Sequence, residues 1–588
     1  MPFNKGSSGT GIRNICRQKL LDRVFLANKV EHEWKVLVVD DFAMKVVSSC
    51  FKTEEILAYN IALIETLEEV REPLLYFEAI YMLQPTKESI KHLKVDLNPT
   101  GQMYKNGHLV FLDAVPDDTF EGLSKTLSSD MVKSLIEIDV MFLPRESQVY
   151  SLQDPLFYSA YFDALKDVNA SHFELTAKKL VTLFSTLNVI PFIRYRRNFI
   201  KNLILAETIE KELKLQKHLF KDLTAMKASK KTCILLILDR GFDCISPIVH
   251  DFTFQAMAYD LLNIEDDIYE FITGYAEGKT VQSISLSAED SLWCKIRHEH
   301  IASVTKIIQS IFEADDLLKS TKHISSGVLD LPSMNEALKK HLQLKTHERF
   351  FAYRHMANEI MKIYCDGINL VYELEQTLAT RTDSEQRKAS DMYESVTEAI
   401  RNSNVDLPEK LRLLLLYIFY HKGIKESKFK DMLKKTEIPV SEANTITNVL
   451  HFDIDLFKPG YCEPLDSKVP KKEIETAPRY KQSRWNPVIN DIMIGCIDGT
   501  LSEGAYPYLK EKPDVTFKRT GYWCSDKKLD NVSHLVVFIA GGVTYSEIRC
   551  AYEVMSKYKG WDIFIGGDDI ITPDIFIEKL KELPSFIS

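Results

Sequence analysis

Residues 238–262, LDRGFDCISPIVHDFTFQAMAYDLL, carry the strongest structural signal in the chain. They follow a wholly apolar run at 233–238, which is typical of a strand buried on both faces. Gly241 permits a tight turn directly after that strand, and Pro247 prevents a helix from starting before about Thr253. The pattern therefore predicts a buried strand, a polar turn, an irregular crossing and then a helix.

The first part of the chain alternates strand and helix patterns. Predicted strands lie at 35–39, 77–83, 109–112 and 140–143, and predicted helices at 56–70, 87–95 and 119–138. Such alternation is typical of an open, mainly parallel α/β sheet.

A second set of strand patterns is divided between two distant parts of the chain. These strands are predicted at 191–195, 232–238, 535–539 and 562–565. The long stretch between the two parts has mostly helical periodicity, and the polar, proline-bearing segment 464–482 is typical of a linker. The sequence thus predicts that the chain leaves an α/β domain, builds a helical domain and returns.

Length and composition indicate a large globular protein. The chain has 588 residues, enough for about four domains, and is 45% hydrophobic and 27% charged. Its net charge of −10 argues against general nucleic-acid binding. We expect no nucleic-acid partner.

Several sequence features bear on location. The first residues, MPFNKGSSGTGIR, have no apolar core, so we expect no secretory signal. The longest apolar run, 413–420, is too short to span a bilayer. The ten cysteines are scattered without a C-x-x-C pair, which predicts reduced thiols rather than disulfides or zinc sites. We therefore expect a cytoplasmic protein that meets membranes only indirectly, through partners.

Motifs for catalysis are missing from the sequence. It lacks the phosphate-binding G-x-x-x-x-G-K-[ST] loop, H-E-x-x-H and G-x-S-x-G. Residues 540–542, Ala-Gly-Gly, follow a predicted strand and precede a helix, so they could bind an anion, although packing of the turn is the simpler interpretation. Asp239 and Arg240 are predicted to form a structural ion pair or a junction contact instead of a catalytic couple, and His250 is predicted to be a buried, hydrogen-bonded histidine. We expect no enzyme activity, cofactor or metal.

Many short segments, in a fixed order, resemble those of the SM (Sec/Munc) family of syntaxin-binding proteins. The segment 238–262 is the most specific of them. The others are EWKVLVVD at 33–40, SSC at 48–50, REPL at 71–74, FLP at 142–144, ESQVYSL at 146–152, DSLW at 290–293, LLLLYIF at 413–419, SRW at 483–485, YPY at 506–508 and GGV at 541–543. The segments SRWNPVINDIM at 483–493 and CAYEV at 550–554 are most similar to sequences of the plasma-membrane Munc/Unc-eighteen branch.

The resemblance implies an α/β plus α fold, built as an arch of three domains. Domain 1 would be residues 1–142, an α/β domain that binds syntaxin. Domain 2 would be a discontinuous α/β domain of residues 143–245 and 478–588. Domain 3 would be residues 246–477, mostly helical, with a helical hairpin at about 318–360.

The resemblance also implies a function. The chain would be a SNARE regulator that binds a syntaxin-like SNARE in a central cleft and through its N-terminal peptide. It would guide SNARE complex assembly in vesicle docking and exocytosis, as a monomer or a 1:1 heterodimer with syntaxin, peripheral at the plasma membrane. A vesicle SNARE and the assembled SNARE complex are further expected partners. The alternatives are an SM protein of endosomal, vacuolar or Golgi fusion, a tether subunit, and an α/β enzyme using a nucleotide or sugar phosphate.

The cleft residues are carried over from the family position by position. They are Asp40, Met44, Lys45, Lys52, Glu65 and Glu72. Lysines and glutamates of this kind are predicted to pair with charges on the partner and to set its register. The alternative is that Glu65 and Glu72 are the solvated face of a helix. Lys45 stands where neuronal relatives carry arginine, so a forked contact is not implied.

Two further sites are implied. The N-peptide pocket would comprise Phe120, Val132, Leu135 and Glu137. Val132 and Leu135 are three apart and are predicted to share a helix face, for which core packing is the alternative. In the domain 3 hairpin, Pro332 is predicted to bend the chain and Leu342 to make an apolar contact. A plain loop between helices is the alternative there.

Overall fold

The structure is a computed structural model of the chain. It describes residues 11–585 except 31–32, 99–100, 129, 167–168, 221–231, 274–279, 323–331, 386, 390, 437, 458–482, 511 and 514–532. The predicted linker at 464–482 therefore lies outside the described residues. Within them, no helix is long and apolar enough to cross a membrane.

The first sheet is five-stranded and fully parallel. Its strands are β1 (Lys35–Val39), β2 (Ile61–Thr66), β3 (Glu78–Leu83), β4 (Gly107–Phe111) and β5 (Val132–Glu137), in the order β2-β1-β3-β4-β5. The helices around it are α1 (Ile12–Leu20, continued by a π-helical turn, Leu21–Phe25), α2 (Asp41–Cys50), α3 (Thr53–Leu57), α4 (Lys87–Asp96) and α5 (Asp117–Thr126).

Helices cover both faces of this sheet, which explains its near-continuous apolar central strands. Helices α1, α2 and α3 pack against the face that carries Leu37 and Ile80. Helices α4 and α5 pack against the opposite face, which carries Val38 and Tyr81. Because α4 and α5 lie together, the surface features of these two helices are neighbours.

Two predicted helices of this region are wrong in part. In 56–70, helix α3 ends at Leu57 and strand β2 follows; in 119–138, helix α5 ends at Thr126 and strand β5 follows. Both strands are sheet edges with partly exposed residues, and their pairing with β1 and β4 overrides the local periodicity. The strand predicted at 140–143 shrinks to Leu143–Pro144, which joins the second sheet.

The chain then begins the second sheet. Its elements up to Phe242 are β6 (Leu143–Pro144), β7 (Val149–Ser151), α6 (Pro155–Phe162), α7 (Ala170–Leu187), β8 (Phe192–Tyr195), α8 (Ile200–Leu215), a 3-10 turn (Lys217–Leu219), β9 (Cys233–Asp239) and a second 3-10 turn (Arg240–Phe242). The predicted buried strand and polar turn around residue 238 are thus present.

A mostly helical region follows, with one small antiparallel sheet in the order β10-β11-β12. Its elements are α9 (Phe254–Leu261), β10 (Ile264–Glu265), β11 (Ile268–Thr273), β12 (Thr280–Ser285), α10 (Ser291–Ile296), α11 (Ile301–Lys322), α12 (Pro332–Asp366), a 3-10 turn (Ile368–Leu370), α13 (Tyr372–Thr380), α14 (Tyr393–Arg401), α15 (Leu407–His421), α16 (Glu426–Thr436), α17 (Val440–Thr447) and a 3-10 turn (Asn448–Phe452).

Helices α11 and α12 form the base of an antiparallel hairpin. Val304 and Ile308, early in α11, share one core with Tyr353 and Met356, late in α12. Pro332 is the first residue of α12, so it begins a helix instead of bending one, as its missing N–H permits. The side chain of Leu342 lies outside the described residues.

The chain finally returns to the second sheet. The last elements are α18 (Ile489–Ile497), β13 (Ser533–Ala540), β14 (Val543–Thr544), α19 (Tyr545–Lys557), β15 (Trp561–Gly567), β16 (Ile570–Ile571) and α20 (Pro573–Glu582). The sheet has the order β6-β7-β15-β13-β9-β8 and is parallel except between β6 and β7. A parallel sheet is thus built from two distant parts of the chain, as the sequence predicts, whereas the domain boundaries at 142, 245 and 477 stay a prediction.

Candidate binding cleft

A cavity of about 610 Å³ opens between the first-sheet region and the helical region. One wall comes from α1 and the junction of α2 and α3. The opposite wall comes from strand β12, the segment before α10, and α12. The residues that line it include Arg13, Ser48, Phe51, Lys52 and Thr53 on the first wall and Gln282, Ser283, Glu289, Asp290, Glu348 and Arg349 on the second. The cavity is therefore a cleft with two walls from distant parts of the chain.

Three cationic side chains, those of Arg13, Arg17 and Lys52, surround the carboxylate of Glu289 in this cleft. Its Oε1 lies 2.7 Å from Nη2 of Arg13, and its Oε2 lies 3.2 Å from Nζ of Lys52. Arg17 approaches Oε1 to 4.0 Å and also forms a two-pronged pair with Glu55. The first wall thus presents cations, and one carboxylate of the second wall holds them.

Asp290 organises the second wall. Its Oδ1 accepts hydrogen bonds from the backbone N–H groups of Leu292 and Trp293, which caps α10 at its start. Its Oδ2 accepts a hydrogen bond of 2.9 Å from the hydroxyl of Tyr353 and lies 3.5 Å from Nε of Arg349. This one side chain therefore fixes α10 against α12, which explains the aspartate in the segment DSLW.

Of the six residues predicted for the cleft, Lys52 lines the cavity and Asp40 is turned inward. The Asp40 side chain is buried and accepts hydrogen bonds from the N–H groups of Ala43 and Gln84 and from the Ser89 hydroxyl. Burial raises the pKa of this carboxyl despite those hydrogen bonds. Asp40 therefore positions α2 at the end of β1 and presents no free carboxylate.

The remaining four residues lie on three different elements. Met44 and Lys45 are on α2, where Lys45 pairs with Asp41 at 3.0 Å and half-buried Met44 packs on the core. Glu65 is on strand β2, not on a helix, and accepts a hydrogen bond from the Tyr104 hydroxyl. Glu72 is exposed in the segment that follows β2.

The residues predicted for the N-peptide pocket lie on α5 and β5. Val132 and Leu135 are in strand β5, so the predicted helix face is wrong. A bulge at the start of β5 aligns Val132 with Gly107 and Leu135 with Leu109, which places both on one face of the sheet, partly buried against its core. They share a face, as predicted, for a different reason.

The other two residues differ in exposure and contacts. Phe120 on α5 is 51% exposed. Glu137 ends β5 and accepts a hydrogen bond of 2.8 Å from the N–H of Val115. The exposed ring of Phe120 therefore lies on α5, and the carboxylate of Glu137, which accepts one hydrogen bond, lies at the end of the edge strand β5.

The sequence reasoning missed Arg13, Glu289 and Arg349 as cleft residues. Arg13 and Glu289 are 276 positions apart, so neither periodicity nor local motif relates them. The one available signal was the acidic pair Glu289 and Asp290 directly before a helix start.

A second ionic cluster surrounds His250, deep in the helical region. Its Nδ1 lies 2.7 Å from a carboxylate oxygen of Glu375, and its Nε2 lies 3.5 Å from Glu409. Ligand atoms of these three residues lie within 4.8 Å of one another, a spacing that could hold a metal ion. However, Arg412 already pairs with Asp260 and Glu409 there.

The pKa of His250 favours an ion network over a metal site in this cluster. Burial and the neighbouring Arg412 oppose protonation, but Glu375 and Glu409 outweigh them and raise the pKa of His250 to about 10. With a cationic ring, the cluster holds two cations of its own, His250 and Arg412, beside the carboxylates of Glu375, Glu409 and Asp260. His250 is buried and hydrogen-bonded, as predicted.

The carboxyl edge of the second sheet is filled by the protein's own charges. Gly541 and Gly542, both at φ above +90°, donate their N–H groups to Oδ1 of Asp568 at 2.7 and 2.9 Å. Asp239 and Arg240 do not pair with each other: Asp239 pairs with Arg196, and Arg240 with Glu547. The glycine turn therefore binds an internal carboxylate, which agrees with packing of the turn over ligand binding.

Comparison with known proteins identifies the family. The sequence profile of the Sec1 family matches residues 35–579. The chain is 28% identical over 602 residues to the protein transport protein sec1 of Dictyostelium discoideum, covering 98% of this chain and 99% of that protein. It is also 25% identical to the SNARE-interacting protein KEULE of Arabidopsis thaliana, covering 98% of this chain and 96% of that protein.

Solved structures agree. A chain in the crystal structure of the Unc18–syntaxin 1 complex from Monosiga brevicollis superposes with a TM-score of 0.82 at 28% identity, covering 97% of this chain and 99% of that chain. Vps45 in complex with the Qa SNARE Tlg2 gives 0.77 at 18% identity, which shows the fold alone. The predicted arch of two α/β sheets and a helical insert is thus confirmed. The profile spans most of the chain, and the chain belongs to the Sec1 family.

Proposed function

We propose that this protein binds a syntaxin-like SNARE in the cleft and guides SNARE complex assembly in vesicle docking and exocytosis. The observation that carries the proposal is the cavity of about 610 Å³ with walls from the first-sheet and helical regions. Support comes from the Monosiga brevicollis relative, which is solved as an Unc18–syntaxin 1 complex and aligns over 97% of this chain.

The physical work would be alignment, without a chemical step. Two rigid walls that hold a helical partner over an interface of about 2,000 Å² lower the entropic cost of bringing further helices into register. If the partner has two conformations, the protein stabilises the one for which it has the higher affinity. The protein would act as a monomer or a 1:1 heterodimer, with a vesicle SNARE and the assembled SNARE complex as further partners.

Charges at the base of the cleft would select the partner's register. Lys52 can leave Glu289 at little cost because its side chain is 53% exposed. It can then pair with a carboxylate on the partner. Glu65, Glu72, Lys45 and Met44 would extend this contact over the first-sheet region, and Asp40 would act by positioning α2.

Two other surfaces complete the proposal. The N-terminal peptide of the partner would bind at the β5 edge, against the exposed ring of Phe120, with Val132 and Leu135 beneath it and Glu137 as an acidic end group. The hairpin of α11 and α12, with Pro332 and Leu342, would engage SNARE helices from the other side. Phe120→Ala should weaken binding of a labelled N-terminal syntaxin peptide, and equal binding would exclude this pocket.

The compartment is proposed to be the plasma membrane, with the protein peripheral there through its syntaxin. The higher identity to the Unc18 chain (28%) than to the Vps45 chain (18%) supports this choice. Endosomal, vacuolar or Golgi fusion is the alternative. A pulldown from membrane extract that retains an endosomal or Golgi syntaxin instead of a plasma-membrane one would decide for the alternative.

Charge reversal tests the cleft. Lys52→Glu combined with Glu65→Lys should weaken calorimetric binding of a recombinant syntaxin cytosolic region by about 2–5 kcal/mol, because both charges become desolvated in the complex. The matched control is Glu426→Lys with Lys430→Glu, an exposed pair on α16 at 2.6 Å. It should bind like wild type. Unchanged affinity of the first variant, with an intact thermal unfolding transition, would remove Lys52 and Glu65 from the interface.

A further inference from the structure

One face of α4 carries three lysines, of which Lys87 and Lys91 are exposed and Lys94 is half-buried beside Gly122 of α5. Lys87, Lys91 and Lys94 lie within about 60° of one another around the helix axis, at about 100° per residue. In the part of the chain that the structure describes, no carboxylate pairs with any of the three. On the neighbouring α5, by contrast, Lys125 pairs with Glu121 at 2.6 Å.

The acidic residues of α4 leave this charge uncompensated. Asp96 is buried, and its Oδ2 lies 2.9 Å from Nη1 of Arg71 and accepts a hydrogen bond from the Tyr81 hydroxyl. Glu88 is exposed and lies about 60° around the helix from Lys91, but it forms no ion pair with Lys91 among the described residues, so one carboxylate borders a face of three lysines. This face of α4 therefore keeps a local positive charge on a protein whose net charge is −10.

A groove of about 600 Å³ runs along these lysines. Val95 borders it with a side chain that is 61% exposed, and Asn98 lies at the C-terminal end of the helix. We call this surface the lysine groove and define it by Lys87, Lys91, Lys94, Val95 and Asn98. The lysine groove thus combines a row of three cations with one exposed apolar side chain, that of Val95.

This chemistry fits lipid phosphates better than a peptide. An extended peptide needs hydrogen-bond partners for its backbone, and among the groove's side chains only the amide of Asn98 offers both a donor and an acceptor. A bilayer has no such need, because its phosphates move laterally to meet a row of cations. A protein of net charge −10 is repelled by an anionic bilayer unless a positive face such as this one is turned toward the bilayer.

We propose that the lysine groove docks on the phosphate-bearing headgroups of an anionic bilayer. The contact turns the α4 face of the first sheet toward the membrane. It goes beyond the proposed SNARE binding, because it adds a direct contact with the bilayer to the indirect one, through partners, that the sequence predicts. Three lysines give a weak, salt-sensitive attachment, so the groove orients a molecule that its partner holds at the membrane.

Vesicle co-sedimentation of the full chain tests this. Wild type should bind vesicles of phosphatidylcholine with phosphatidylserine, and binding should fall when salt is raised and vanish on pure phosphatidylcholine. The variant Lys87→Gln, Lys91→Gln, Lys94→Gln should reduce the partition coefficient by about ten- to a hundredfold. Inorganic phosphate at equal charge should not compete, which separates a bilayer from a free anion.

The control removes the same charge elsewhere. Lys125→Gln, Lys430→Gln and Lys435→Gln take away lysines that pair with carboxylates four residues earlier, and this variant should bind like wild type. The proposal is overturned if wild type ignores phosphatidylserine, if the groove variant binds equally well, or if the control loses as much binding. Binding of an acidic peptide that is lost in the groove variant, without any binding of vesicles by wild type, would also overturn it.

Discussion

Ionic groups gather both at the base of the cleft and at the carboxyl edge of the second sheet, but their burial differs. At the sheet edge, the side chains of Arg240 and Glu547 are 0% exposed and 2.6 Å apart. In the cleft, those of Lys52 and Glu289 are 53% and 19% exposed. A buried pair cannot exchange partners without a large desolvation cost, whereas a half-exposed pair can. The edge charges therefore hold the fold together, whereas the charge of Lys52 in the cleft is available to a second molecule.

The largest expected effect is on the buried pair. Glu547→Ala should lower the free energy of unfolding by about 3–5 kcal/mol, because it leaves the Arg240 guanidinium buried and unpaired. It also removes the capping box that Glu547 forms with Thr544 at the start of α19. Denaturant titration measures this loss.

A control on the same helix sharpens the comparison. Glu553 pairs with Arg549 at 2.6 Å, but its side chain is 43% exposed. Glu553→Ala should cost below about 1 kcal/mol. If both variants lost the same free energy of unfolding, burial would not determine which ion pairs of this protein stabilise the fold.

The next effect is a pH dependence from the His250 cluster. The pKa of His250 is raised from 6.5 to about 10, since Glu375 and Glu409 outweigh burial and Arg412. A raised pKa in the folded state stabilises the protein fully below pH 6.5, and this contribution is lost as the pH rises through 10. The stability difference between wild type and His250→Gln should therefore shrink steadily between about pH 7 and about pH 9.5.

His298 supplies the matched control. Burial, together with Arg297, lowers its pKa to about 4, so this ring is neutral over the same range. The effect of His298→Gln should be constant there. A His250 difference that stays flat with pH would show that the ring is neutral in the folded protein, and would reopen the cluster as a metal site.

The two parts of the fold were not equally predictable. Strand β9 and the turn after it were predicted because residues 233–238, CILLIL, are all apolar, and the strand is buried along its whole length. Strands β2 and β5 were mistaken for helices because each is a half-exposed edge, where burial leaves no clear period in the sequence. Their identity comes from pairing with β1 and β4, which is information held elsewhere in the chain.

The cleft shows the same limit. Resemblance to the family supplied Lys52, but Arg13 and Glu289, which complete its base, are 276 positions apart and meet only in the folded protein. Resemblance to the family also implied a partner-facing role for Asp40, although burial and three internal hydrogen bonds direct its side chain inward. Sequence reasoning can therefore identify residue types at a site, whereas exposure decides which of them a partner can reach.

The smallest expected effect lies in the cleft. Glu289→Gln should lower the free energy of unfolding by about 1 kcal/mol at low salt, and the loss should diminish as salt is added, because Lys52 is half-exposed and the amide oxygen of glutamine can still accept the hydrogen bond from the buried Arg13. Since Lys52 is then freed, the affinity for the syntaxin cytosolic region should be kept or increased. Glu348→Gln, in the same cavity, removes an equal charge but not the contacts to Arg13 and Lys52, and should affect neither. A loss from Glu289→Gln as large as that from Glu547→Ala would place both regions in the structural class and leave the cleft without exchangeable charge.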